Sequence, residues 1–516
     1  MSEFTQAKLS IPNSSSVEEL ITANIRSNPV NLQEGENGRL GYKTTGSKCL
    51  DMFSTLSRGS ASDKVIEMFI AAYNENQEIA LKIMMNYRDR DAKQEKDIPR
   101  EMMKVLKRKC PATYMANLLH FVDNGYLKDL CELALDTREV NNISNGIEAK
   151  IFAALLSADK EAFDKNEPLS LAGKWAPRQQ GKHSFLANQI ANNLPNTDGK
   201  TLKQMLKIYR KEYCSPLNAR LNTFEVNMSS KDYEKIKIEQ IPATALKKTK
   251  KALLTRMPEK YAEYLNRCRT GQVKMKVTGV QPHELKSSIM AGDESSEIAL
   301  NEIIRKLRET GLFENTLPVC DVSGSMSGIP MEVSVSLGFI VSQLQNDEFR
   351  NKVITFSHDP QLVELVGETT AKKLMSLHNV PWGMNTDFIK VFKMLLENAK
   401  QNKINEEKMV KKIIVFTDMQ FDQATNGKHY RTAHDEIKQM YEKEGFTLPQ
   451  IVYWNLRDSI VSMPVDMNTP GVALMNGFSS NMLRVFMGEE EMTPYDVMMK
   501  SIDKYAVAAL GEQITV

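Results

Sequence analysis

Long apolar runs are missing from this 516-residue chain. No stretch approaches the roughly 18 residues that a bilayer-spanning helix needs, so no membrane partner is expected. The opening residues, MSEFTQAKLSIPNSSS, have no basic segment followed by an apolar one, which argues against a signal peptide and for a cytoplasmic location. Cysteine is scarce: Cys49, Cys110, Cys131, Cys214, Cys268 and Cys320 stand apart with no CxxC pair. That spacing points to reduced, mostly buried thiols and away from a structural zinc site. The seven histidines are isolated and form no HExxH. GxxxxGK[ST] is absent, and no Ser-His-Asp arrangement suggests itself, so an enzyme is not expected.

What is present is ordinary in bulk and uneven in detail. Apolar content of 41% and charged content of 26% describe a globular protein, and the length predicts two or three domains. Net charge is +2, yet residues 174–280 hold 22 Lys and Arg against 8 Asp and Glu, a surplus of 14 that leaves the remainder near −12. Such a block needs an acidic neighbour or an acidic partner.

Two regimes follow one another along the chain. Residues 1–20 are polar and Ser-rich, a flexible tail. Residues 21–311 read as a helical, repeat-like region resembling an α-solenoid without a fixed period. "SDKVIEMFIAAYNENQEIALKIMMNYRD" shows helical spacing broken at "NEN", and "CPATYMANLLHFVDNGYLKDLCELAL" makes two helices around "DNG". The basic block 174–280 continues as helices. Lys203, Lys207, Arg210 and Lys211 recur at three, four and seven residues and should share a face. Lys247, Lys248, Lys250 and Lys251 form a second cluster, and both are candidate contacts for a polyanion, most plausibly RNA. The aromatics among them, such as Tyr209, Tyr213, Tyr261 and Tyr264, fall at helical spacing and read as core rather than as platforms for bases.

From 312 to 516 short apolar runs alternate with helical patterns. "TLPVCDV", "NKVITFS", "QLVELVG", "VKKIIVFTD", "LPQIVYWNLR" and "PGVALMNGFS" are strands separated by helices such as "PMEVSVSLGFIVSQL" and "TDFIKVFKMLLENAK". The grammar is that of a doubly wound, mainly parallel sheet covered on both faces. The fold class is therefore α plus α/β. In such sheets ligands bind beyond the carboxyl ends of the strands. Asp321, Ser323 and Ser325 follow one strand, Asp418 follows another, and a loop between elements carries Thr386. Together they make an all-oxygen set with two carboxylates. It suits Mg²⁺ or Mn²⁺, which take oxygen ligands and keep water, leaving room for an oxygen from a partner. Asp-x-Ser-x-Ser by itself also serves as a helix cap or a tight turn; the later Thr and Asp are what make a cation the stronger reading.

"DVSGSM", "GMNTDF" and "VFTDMQFD", in that order, resemble the metal-ion-dependent adhesion site of von Willebrand factor A domains. Over a longer span, "GKWAP", "EVNMSSKDYEKI", "QPHEL", "WGMNTDF", "FTDMQFDQA" and "QIVYWNLRDS" resemble a family of plants and giant viruses that joins a helical region to such an A domain. The layout is also similar to that of the Ro autoantigen, a ring that binds small RNAs. These resemblances imply a non-enzymatic scaffold, whose A domain grips an acidic residue of a protein partner through the metal and whose helical region contacts RNA. A structural or packaged viral component, virion-associated, is the alternative in the same vein. A metal-dependent phosphoryl-transfer enzyme with Asp321 as nucleophile is the third reading. The haloacid-dehalogenase pattern that would supply it needs a second Asp where Ser323 stands.

Overall fold

A computed structural model describes residues 31–34, 40–135, 146–345, 349–356, 360–378, 388–420, 432–458, 462–488 and 492–515. The Ser-rich tail expected over 1–20 lies outside the described residues, as does Thr386.

Helices occupy the first part of the chain, and their ends follow from single residues. Asn76 separates helix Ser62–Glu75 from helix Gln77–Arg88; it is extended, and its side chain accepts from Ile79 N at 3.0 Å. This is the N-cap exchange that Asn performs well, and it explains the break at "NEN". Pro111 opens helix Pro111–Asn124, where its missing N–H costs nothing, and Gly125 closes it. Helices adjacent in sequence pack on one another: Ser62–Glu75 on Lys48–Thr55, Gln77–Arg88 and Asp97–Lys109, and the last of these on Pro111–Asn124. Within the region read as helical, helix Lys48–Thr55 was not picked out individually, and a hairpin of β1 (Leu32–Glu34) with β2 (Leu40–Tyr42) was not expected.

The later part is a six-stranded sheet. Its strands are β3 (Thr316–Asp321), β4 (Lys352–Phe356), β5 (Gln361–Glu364), β6 (Lys412–Thr417), β7 (Gln450–Asn455) and β8 (Val472–Asn476), in spatial order β5-β4-β3-β6-β7-β8. All neighbours are parallel except β4 and β5. Central strands β3 and β6 are buried at every position, as two-sided coverage requires. Alternate residues divide between two cores. Leu317, Val319, Ile413, Val415, Ile451, Tyr453, Val472 and Leu474 pack with helices Phe388–Gln401 and Ala433–Glu444. Cys320, Phe416, Trp454 and Met475 face the other way, into a core continuous with the N-terminal helices. Helix Ile329–Gln343 lies on this second face, and Gly338 lets it approach: a Cβ there would collide with the Cys320 thiol.

The two parts are stitched at the carboxyl edge of the sheet. Helix Lys48–Thr55 ends there, and side chains from the strand ends take its final carbonyls. Asn455 Nδ2 donates to Ser54 O (3.2 Å) and Thr55 O (3.3 Å), and Asn476 Nδ2 donates to Leu56 O. From the helical side, Tyr87 Oη donates to Met52 O and Leu56 O, each at 2.9 Å. Lys93, fully buried, donates to Phe53 O (2.5 Å) and to Asn476 Oδ1, with its Nζ over the rings of Phe53 and Tyr87. Beyond helix Pro494–Ile502 the chain returns over the helices. Asn117 Nδ2 donates to Ala508 O (2.8 Å), the Glu512 carboxylate accepts from Thr113 N and Oγ1 (2.7 Å each), and Asn74 Nδ2 donates to Ile514 O (2.9 Å).

Candidate metal centre and basic face

Strands β3 and β6 pair in parallel, so their last residues arrive side by side at the carboxyl edge. Asp321 is the final residue of β3 and Asp418 directly follows β6; both are fully buried. The Ser-Gly-Ser segment then turns tightly. Ser323 N donates to Asp321 Oδ1 at 3.0 Å, a short Gly324–Met326 turn follows, and the Ser323 and Ser325 hydroxyls stand 3.0 Å apart. Thr417 Oγ1 donates to Asp321 Oδ2 at 2.7 Å and accepts from Met419 N at 3.2 Å. Met419 has φ of 66°, a left-handed conformation uncommon for such a side chain. Next to it, Asp418 Oδ1 accepts from Gln420 N at 3.2 Å.

Electrostatically this is a crowded acidic pair. Burial pushes Asp321 up to about 7, and the Asp418 carboxylate adds to the effect; the Thr417 hydroxyl and Ser323 N–H oppose it. Asp418 is raised too, by burial, against the Ser325 hydroxyl, the Gln420 N–H and the Arg457 guanidinium. Asp418 Oδ2 is buried without a hydrogen-bond partner. Arg457 Nη1 lies 3.9 Å from it and donates to Ser325 O.

Such a set suits a hard cation. The two carboxylates supply charge, and the serine hydroxyls supply neutral oxygens beside them. Among the described residues no group of three His, Cys, Asp or Glu could hold a metal, so an ion here depends on the hydroxyls. Of the five residues read from sequence, Asp321, Ser323, Ser325 and Asp418 come together and Thr386 lies outside the described residues. Thr417 and Arg457 were missed as site residues. The hydroxyl of Thr417, in "VFTD", gains its role only from the pairing of β6 with β3. Arg457 reaches a loop 132 residues earlier in sequence.

The basic block takes a different form. Lys203 and Lys207 lie on helix Leu202–Ile208, and Arg210 and Lys211 lie on the π-helical segment Tyr209–Cys214 that continues it. All four are exposed and form no ion pair among the described residues. In the second cluster Lys247 pairs with Glu284 (2.8 Å) and Lys250 with Asp293, while Lys248 and Lys251 are exposed. Tyr209, Tyr213, Tyr261 and Tyr264 are buried, which makes them core. The thiols are free: five are buried, and Cys268 is half-buried. Among the described residues no helix is long and apolar enough to cross a membrane.

Fold and site together define a class: a helical region docked on a mainly parallel sheet domain, with a buried oxygen-rich acidic pair at the sheet's carboxyl edge. Residues 35–145 and 146–312 match the family model described as "Domain of unknown function (DUF2828)". Residues 315–511 match "Domain of unknown function (DUF7788)". The chain is 31% identical over 510 residues to "Uncharacterized protein L728" of Acanthamoeba polyphaga mimivirus, spanning 92% of this chain and 88% of that one. It belongs to the DUF2828 family. Among solved structures it is similar to the Deinococcus radiodurans Ro (RSR) protein. That match has 12% identity, covers 90% of this chain and 100% of the other, and has a TM-score of 0.38, too loose for any conclusion about function.

Proposed function

We propose that residues 312–516 form a von Willebrand factor A-type domain that holds Mg²⁺ or Mn²⁺ at an adhesion-type site and grips an acidic group of a protein partner without catalysing a reaction. One observation carries this reading: Asp321 and Asp418 are buried side by side with two hydroxyls, and one Asp418 oxygen has no hydrogen-bond partner. Asp321, Ser323, Ser325 and Asp418 would hold the ion, with Thr386 as the further hydroxyl. When bound, the cation neutralises the carboxylate pair and offers an exchangeable position to an incoming oxygen. Asp321 accepts hydrogen bonds at both carboxylate oxygens, which fixes its plane. A nucleophilic role for Asp321 would need an acid two residues on, and Ser323 is there.

Isothermal calorimetry tests this directly. Wild type should bind Mg²⁺, and Asp321→Ala should not, while its circular dichroism stays native. Equal affinity in both would overturn the site. Phosphatase activity that disappears in the same variant would favour the enzyme reading.

The exposed, unpaired basic face favours a second function, polyanion binding by the helical region, with RNA as the ligand class. Phosphates displace counterions from such a face, so each contact steepens the salt dependence by ~0.7 to 0.9 log units. A gel-shift titration should show retention of RNA at low salt, independent of Mg²⁺, and loss of it in combined Lys207→Glu, Arg210→Glu and Lys211→Glu. Retention by the triple variant equal to wild type would refute it.

A further inference from the structure

The seam between helices and sheet holds a second polar site that shares no residue with the carboxylate pair. It is a cavity of about 50 Å³. The helical side contributes Asp91 and Gln94, the segment before helix His283–Met290 with Gln281, and Lys306 on helix Glu294–Thr310. The sheet side contributes the turn Ser480–Phe486, which carries Arg484. At ~10 to 15 Å³ per water, the space admits a few waters or one tetrahedral oxyanion.

Two polar atoms of these side chains are left unpaired. Gln281 is 3% exposed; its Nε2 donates to Gln94 Oε1 at 2.9 Å, but its Oε1 is buried with no partner. Arg484 Nε is also buried with no partner. Leaving a buried donor and a buried acceptor unmatched is unfavourable, so the pair favours a guest that accepts from one and donates to the other. Charge narrows the choice. Lys306 and Arg484 form no ion pair among the described residues, while Asp91, exposed at the rim, is the single acid lining the cavity. The balance favours an anion. With the Gln281 oxygen as acceptor, an anion that carries a proton matches both atoms; a carboxylate or sulfate at neutral pH has none, and monohydrogen phosphate has one.

We propose that this cavity binds a phosphate group. Its oxygens accept from Arg484 and Lys306, and its P–OH donates to Gln281 Oε1. A guest held this way touches both halves of the molecule and stabilises their contact.

The test is calorimetry and thermal melting of the full chain with inorganic phosphate, at ionic strength matched with chloride and with sulfate. Phosphate should bind saturably and raise Tm, whereas sulfate and chloride should not. Arg484→Gln and Lys306→Gln should each weaken phosphate binding by about tenfold or more, as expected for loss of a charge-assisted bond. Lys393→Gln, exposed on helix Phe388–Gln401, should leave it unchanged. Lys306 is only half-buried, so its variant remains informative if Arg484→Gln fails to fold. Equal affinity for glycerol phosphate would identify the ligand as the phosphoryl group of a larger molecule; its exclusion would identify the free anion. A response to sulfate equal to that to phosphate, no saturable response, or wild-type affinity in folded Lys306→Gln would overturn the proposal.

Discussion

Burial of Asp321 beside a second carboxylate couples stability to pH. Its folded-state pKa of about 7 lies above the ordinary 3.8. Between those values the folded chain keeps a proton that the unfolded chain has released, so stability from this group falls as pH rises through the window. His283 and His434 act in the opposite sense. Burial lowers both to about 4, so their contribution is lost as pH falls from 6.5 toward 4. The Asp321 effect therefore shows as a difference. In chelator, Asp321→Asn should gain on wild type in unfolding free energy as pH rises from about 4 to about 7, by an amount on the order of a few kcal/mol, read as a widening Tm difference. Parallel melting curves for the two proteins across that range would count against the buried pair. Saturating Mg²⁺ should reduce the gap at neutral pH. At this scale the sequence was partly legible. Asp321, Ser323, Ser325 and Asp418 stand in short motifs after apolar runs, and strand ends are where a parallel sheet displays ligands. Thr417 and Arg457 act across the tertiary structure, where no local pattern reaches.

Elements were legible wherever their own periodicity decided the matter. β3, β6, β7 and β8 are continuous apolar runs, and the amphipathic helices Phe388–Gln401 and Ala433–Glu444 show their buried faces in sequence. Helix Lys48–Thr55 is different. Seven of its eight residues are buried, so it has almost no polar face to mark a period, and distant side chains satisfy its C-terminal end. The regular helix expected to carry Lys203, Lys207, Arg210 and Lys211 on one face was also too simple. At Tyr209 it widens into a π-helical segment, which buries Tyr209, Tyr213 and Cys214 while Arg210 and Lys211 stay outside. The capping of Lys48–Thr55 makes a prediction of its own. Asn476→Ala removes donors to Leu56 O and an acceptor for Lys93, and should cost about 1 to 3 kcal/mol in urea unfolding. Asn455→Ala should cost a similar amount, because Ser54 O and Thr55 O lose the same donor. An unfolding midpoint unchanged in both variants would show that water replaces these bonds at no cost.

For the whole molecule, the returning C-terminal segment is the second tie between the parts. Glu512 meets the N-terminal turn of helix Pro111–Asn124 through Thr113 N and Oγ1, where a negative charge is favourable. Glu512→Gln should destabilise by about 1 kcal/mol. A chain ending at Lys504 also loses the bonds at Asn74, Gln77 and Asn117, and should lose more. Differential scanning calorimetry distinguishes the outcomes: one cooperative transition moved to lower temperature is expected, and an unmoved transition would mean the segment rests on the helices without holding them.

The capping of helix Lys48–Thr55 also sets an order of events during synthesis. Asn455 stands 401 residues beyond Ser54, and Asn476 stands 420 beyond Leu56. At ~5 to 20 residues per second, a ribosome needs on the order of 20 to 80 seconds to cover that distance. Throughout that interval the Ser54 and Thr55 carbonyls lack their Asn455 donor, so this helix is completed only after the strands of the sheet have been made.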